Sequence, residues 1–122
     1  MTRKKEFRMR QINRLLQEEI ADLLLTELQD ERLHRLTITE VRTSPDLYHA
    51  IVFAATRGAK NREACIEAVR RSAGRIRKLL YSRLHLKRIP ELDFRYDESL
   101  DRAERIFRTL ESLHAEEKDE ES

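Results

Sequence analysis

The chain of 122 residues is poor in the residues that make staples, tight loops and aromatic cages. It has one cysteine, Cys65, so no internal disulfide can form. Within Ala64-Cys65-Ile66 that thiol reads as a small buried hydrophobe rather than a reactive group. There are only two glycines, Gly58 and Gly74, which excludes a glycine-rich loop that cradles phosphates. Tryptophan is absent, and three tyrosines and four phenylalanines are too few for base stacking as the main binding mode. Phe53, Phe94 and Phe107 suit a core. Tyr48, Tyr81 and Tyr96 suit core or half-exposed packing better than stacking platforms. No run approaches the roughly 18 apolar residues of a membrane span. Met1 to Arg10 lacks the apolar core of a secretory signal, so a cytoplasmic location without membrane contact is expected.

Catalytic patterns are missing too. His34, His49, His85 and His114 are scattered, and none stands at metal-ligand spacing with another histidine or with Cys65. No Ser-His-acid or Cys-His arrangement can be placed. The expectation is a protein that is not an enzyme and needs no metal or cofactor.

Charge is abundant, at 39% of residues, and unevenly spread although the formal net charge is only +2. Residues 1–14 carry six bases against Glu6, a net of +5. Residues 57–88 carry eleven bases against Glu63 and Glu67, a net of +9. Residues 111–122 carry six acids against Lys118, a net of −5. Local sign, not the total, sets the field that a polyanion meets.

Hydrophobic periodicity divides the chain into elements. Ile12, Leu15, Leu16, Ile20, Leu23, Leu24 and Leu28 recur at helical spacing and predict a helix over about Arg8–Leu28. Gln29-Asp30-Glu31-Arg32 reads as a polar connector. Leu36–Arg42 and Tyr48–Ala55 are rich in β-branched or apolar residues, with Ser44-Pro45-Asp46 as the turn of an antiparallel hairpin. After a polar loop at Thr56–Asn61, Cys65, Ala68 and Val69 mark one helix, and Ile76, Leu79, Leu80 and Leu84 mark another. Gly74 lies between these stripes as a kink or joint, where a bulky β-branched residue is expected to harm both stability and binding. Glu91–Tyr96 alternates as a half-buried strand. Asp97 or Ser99 caps a last amphipathic helix through Leu100, Ala103, Ile106, Phe107, Leu110 and Leu113. The fold expected is α+β, ordered α-β-β-α-kink-α-β-α, with helices packed on a three-stranded sheet. Residues 1–7 read as a basic arm, 8–114 as one domain, and 115–122 as an acidic disordered tail.

That order is the order of a type II KH domain. Arg14-Leu15-Leu16-Gln17-Glu18-Glu19-Ile20, Leu28-Gln29-Asp30-Glu31-Arg32-Leu33, Ser44-Pro45-Asp46-Leu47 and Pro90-Glu91-Leu92-Asp93-Phe94 then narrow it. With Asp97 and Ser99, these strings resemble the ribosome-binding factor A family from about Arg8 to Leu113. The resemblance implies a KH-like monomeric factor that binds free small (30S) ribosomal subunits, their 16S rRNA and neighbouring ribosomal proteins. It implies a role in late maturation, in processing of the 5′ end of that rRNA, and in growth in the cold. The family's Ala-x-Gly kink corresponds to Ser72-Ala73-Gly74, with serine in the first position.

Helical spacing places Arg71, Arg75 and Lys78 near Gly74 on the face opposite Ile76, Leu79 and Leu80. Arg70, Arg77, Arg83, Lys87 and Arg88 widen that field, and Arg3, Lys4, Lys5, Arg8 and Arg10 form a second cluster. All are candidate RNA contacts, because clustered bases gain affinity by releasing counterions from phosphates. For any one of them a solvated surface charge is an equal reading. Two other functions stay open: a stand-alone nucleic-acid binder, and a protein scaffold using the first or last helix. The acidic end reads as a solvating segment, or as a competitor for the basic face.

Overall fold

The computed structural model describes residues 2–56 and 61–121, without the side chains of Thr2, Leu100 and residues 117–121. The long apolar stripe of the first helix is the organising element. Helix α1 (Thr2–Thr26) buries Ile12, Leu16, Ile20, Leu23 and Leu24, with Leu28 just beyond its end. Its spacing of three and four puts these on one side. The helix begins at Thr2, ahead of the expected start near Arg8, so the basic arm continues α1. That start escaped the apolar pattern because residues 3–6 are all charged.

A short helix α2 (Glu31–His34) stands where a connector was expected. Asp30 caps it by accepting from Arg32 N, and Leu33 anchors it in the core. Strand β1 (Leu36–Thr43) then pairs antiparallel with β2 (His49–Thr56). The turn between them is tightly tied: Leu47 N donates to Ser44 O, and Tyr48 N donates to Asp46 Oδ1. Leu47 has φ 64, a left-handed conformation that costs a non-glycine residue about 1–2 kcal/mol.

Helix α3 (Arg62–Arg71) and helix α4 (Ala73–Arg83) form the crossover to β3 (Glu91–Tyr96), which runs parallel to β2. The order β1-β2-β3 makes a mixed three-stranded sheet with β2 in the centre. Of the loop expected before α3, residues 57–60 lie outside the described residues.

Alternation along the strands separates two faces. Ile38, Val41, Val52, Ala54 and Phe94 meet the helices and are buried. Cys65 is buried among them, as its surroundings in the sequence imply. On the other face charges pair along their own strands, Arg42 with Glu40 at 2.9 Å and Arg95 with Asp93 at 2.8 Å. The open sheet face is therefore not the source of the positive field.

Helix α5 (Ser99–Glu121) departs from expectation. Its backbone continues through the acidic segment read as a disordered tail. Its apolar stripe is uncovered: Ile106, Phe107, Leu110 and Leu113 are all more than half exposed. Phe107 is thus not a core residue. The sequence pattern located the amphipathic face, but the sheet has one helix-covered side and α1, α3 and α4 fill it. Arg62 fastens the start of α5, pairing with Asp101 at 2.8 Å.

Candidate nucleic-acid interface

The α3–α4 junction sorts cations by geometry. At Ser72 the backbone has φ −89 and ψ −2, off the helical value in ψ, and a helix break follows. Ser72 N reaches both Val69 O at 3.1 Å and Ala68 O at 3.2 Å, while Ile76 N reaches Ser72 O at 2.9 Å. The two helices are thus joined through one residue, whose own N–H and C=O are both bonded. Ile76 and Leu80 are fully buried, and Arg71, Gly74, Arg75 and Lys78 are exposed together on the outward side. Arg71 has a weak i,i+4 pair with Glu67 at 3.4 Å. Arg75 and Lys78 have no ion pair among the described residues. A Cβ built at Gly74 would meet nothing within 4 Å. That space admits a methyl group; a bulky β-branched residue adds γ atoms and loses χ1 freedom in a helix, so its expected cost to stability and binding stands as a prediction.

Four other arginines of the basic segment are partly committed to the fold. Arg70 Nε donates to Phe94 O at 2.9 Å, tying α3 to β3. Arg77 gives two hydrogen bonds to Ile89 O and stacks against Tyr81 at 5.5 Å. Arg88 donates to Asp46 O and lies 3.7 Å from the Tyr48 ring centre. Arg83 departs furthest from the expected role. It meets Asp22 at 2.6 Å, Glu27 at 3.0 Å and Glu19 at 3.5 Å, all on or just after α1. These carboxylates, Asp22 foremost, raise its pKa further above the usual guanidinium range. Its charge is locally neutralised, and it works as a clasp between α1 and α4.

Lys87 is exposed. So are Arg3, Lys4, Lys5, Arg8 and Arg10 along the first turns of α1. Tyr48 and Tyr81 are each 52% exposed, so both tyrosines stand at the surface with an arginine on the ring. Between α1 and the hairpin turn lies a groove of about 390 Å³, lined by Lys5, Glu6, Met9, Arg10, Asn13 and Pro45. Sequence spacing could not show this groove, because Pro45 reaches it from the turn.

Among the described residues, no group of three or more His, Cys, Asp or Glu could hold a metal ion. No described helix is long and apolar enough to cross a membrane. Asp97 serves structure: it accepts from Ser99, which does most to hold its carboxyl below the ordinary range, and from Thr39. It joins the end of β3 to β1 and to the start of α5.

The fold and sequence have close counterparts. The family model described as ribosome-binding factor A matches residues 8–110. A ribosome-binding factor A of Thermomicrobium roseum is 40% identical over 117 residues, covering 95% of this chain and 91% of that protein. One from Halothermothrix orenii is 39% identical over 114 residues, 93% of each chain. The crystal structure of ribosome-binding factor A from Thermus thermophilus superposes with a TM-score of 0.66 at 25% identity. That match covers 75% of this chain and 97% of the other. A homology model of the Thermus thermophilus factor, fitted into a cryo-EM map of its complex with the 30S subunit, gives a TM-score of 0.57 at 27% identity. It covers 70% of this chain and 90% of that one.

Proposed function

Because the chain belongs to the ribosome-binding factor A family, we propose that it docks on free small ribosomal subunits through the cations around the α3–α4 junction. The observation that carries this reading is the shared exposure of Arg71, Gly74, Arg75 and Lys78 above a buried Ile76 and Leu80. The three side chains offer positive charge, and the bare Gly74 lets a phosphate or sugar come close to the helix backbone. Lys87 and the outer parts of Arg70, Arg77 and Arg88 extend the field, as do Arg3, Lys4, Lys5, Arg8 and Arg10 on the basic N-terminal segment. The Ser72-Ala73-Gly74 joint sets the angle between the two basic helices. The factor acts as a monomer on 16S rRNA and adjoining ribosomal proteins. It holds the 5′ region in a form that a separate nuclease trims, with no chemistry of its own. The acidic end keeps the chain hydrated.

The test is sedimentation of tagged protein on a cell-extract gradient. The parent should travel with free small subunits and little with translating ribosomes. Charge reversal of Arg71, Arg75 and Lys78 together should abolish co-sedimentation and leave the circular dichroism spectrum unchanged. The slope of log affinity against log salt should also flatten by about two to three, since each phosphate neutralised contributes roughly 0.7–0.9 to it. Tight binding to isolated oligonucleotides, with none to immature small particles, would instead make the protein a stand-alone nucleic-acid binder.

A further inference from the structure

We propose that the groove between the start of α1 and the hairpin turn takes one unpaired RNA base, as a second contact apart from the α3–α4 junction. The inference rests on the reading of the chain as an rRNA-binding factor. The groove holds about 390 Å³, at the small end of the roughly 300–1,000 Å³ of small-ligand pockets. Met9 and Pro45 supply apolar surface for the face of a base. Lys5 and Arg10, against the single carboxylate of Glu6, supply positive charge for the phosphates beside it. They belong to a segment, residues 1–14, with a net charge of +5, which favours a polyanion over a neutral ligand.

Asn13 gives the groove a polar reader. Its Oδ1 accepts from Thr43 N at 2.9 Å, which fixes the orientation of the amide. Both Nδ2 protons are then left for an acceptor on a base edge, with no bond to them among the described residues. Thr43 Oγ1, on the residue that Asn13 holds, is buried with no hydrogen-bond partner. The opposite wall is rigid. Ser44 Oγ donates to Asp46 Oδ1 at 2.6 Å, and Leu47 is held at φ 64. Strain of that kind persists only where the surroundings over-determine it, and it collects at binding sites. On the same turn Tyr48 carries Arg88 on one ring face, a surface on which a neighbouring base can stack.

The experiment uses the full chain and a single-stranded RNA octamer with one central 2-aminopurine. The parent should give a saturable change in 2-aminopurine fluorescence at low salt, and a blunt duplex of the same length should not. Asn13→Asp keeps the acceptor for Thr43 N but replaces the two donors with an oxygen. It should melt like the parent and weaken the fluorescence response about tenfold, the order expected when a base-edge acceptor loses its donor. Lys5→Ala/Arg10→Ala should weaken it as well. Charge reversal at Arg71, Arg75 and Lys78 should retain the base-dependent signal while losing subunit co-sedimentation. An unchanged response in Asn13→Asp would overturn the inference, as would an equal response to the duplex. Displacement of the probe by a peptide of residues 111–122, which leaves Asn13→Asp unaffected, would give the groove to the chain's own acidic end and also overturn it. Failure of the parent to sediment with small particles would bring down the assembly-factor reading, whatever the probe does.

Discussion

Replacing Gly74 by alanine should move stability and subunit affinity in opposite directions. Gly74 is exposed in the first turn of α4, and an added Cβ meets nothing within 4 Å. Its φ lies outside the region that only glycine enters freely, so alanine adopts the same backbone without strain. Alanine narrows the unfolded ensemble and favours the helix, which is worth about 0.4–1 kcal/mol. For a chain of this length each kcal/mol shifts Tm by about 4 °C, so the melt should rise by about 2–4 °C. If RNA backbone approaches the bare stretch of helix, the same methyl intrudes on it. A misfit of that size costs about 1–3 kcal/mol, or roughly 5- to 150-fold in Kd. Thermal melting by circular dichroism and gradient co-sedimentation read the two effects separately. A higher Tm with undiminished subunit binding would show that nothing comes close to Gly74. A lower Tm would show that the junction needs glycine for its own geometry, against the open space found there.

The other predictions concern what holds the fold. Arg83→Met should lower Tm, because Asp22, Glu27 and Glu19 lose their shared partner; binding per folded molecule should stay near the parent's, as seen when gradients are corrected for folded fraction. Asp97→Asn should destabilise at neutral pH. The folded carboxyl titrates below its unfolded value of about 3.9, so its contribution is full above that value and is lost as pH falls through the lowered one. Melts of parent and variant should therefore converge in strong acid, and a constant gap down to the lowest pH would refute the linkage. Ending the chain after Ala103 should leave Tm close to the parent's, since Ile106, Phe107, Leu110 and Leu113 bury little surface in this fold. A large fall would mean that the stripe packs against the domain in solution.

Elements with a strong repeat were legible before any coordinates. The α1 stripe, the hairpin around Ser44-Pro45-Asp46 and the alternation in Glu91–Tyr96 each name their partner surface by period alone. Helix α2 was not legible, because four residues carry no period; only Asp30 before Glu31-Arg32-Leu33 hinted at a cap. The stripe on α5 was legible as a stripe, but amphipathicity says nothing about whether a surface remains to receive it. The basic face was legible as a cluster, but not which of its cations also tie the fold together. Arg70, Arg77 and Arg88 bond to backbone oxygens of Phe94, Ile89 and Asp46, and such acceptors carry no side-chain signature. Arg83 finds its carboxylates 56 to 64 residues away, beyond any local pattern.

The parallel pairing of β3 with β2 has a kinetic consequence. The β1–β2 hairpin closes across a short turn, whereas β3 can take its place only after the chain from Thr56 to Glu91 has gone out and returned. Loop closure over that distance costs entropy before any contact rewards it. The strand that receives Arg70 is thus expected to dock late in folding, and the orientation of the basic helices becomes definite only in that last step.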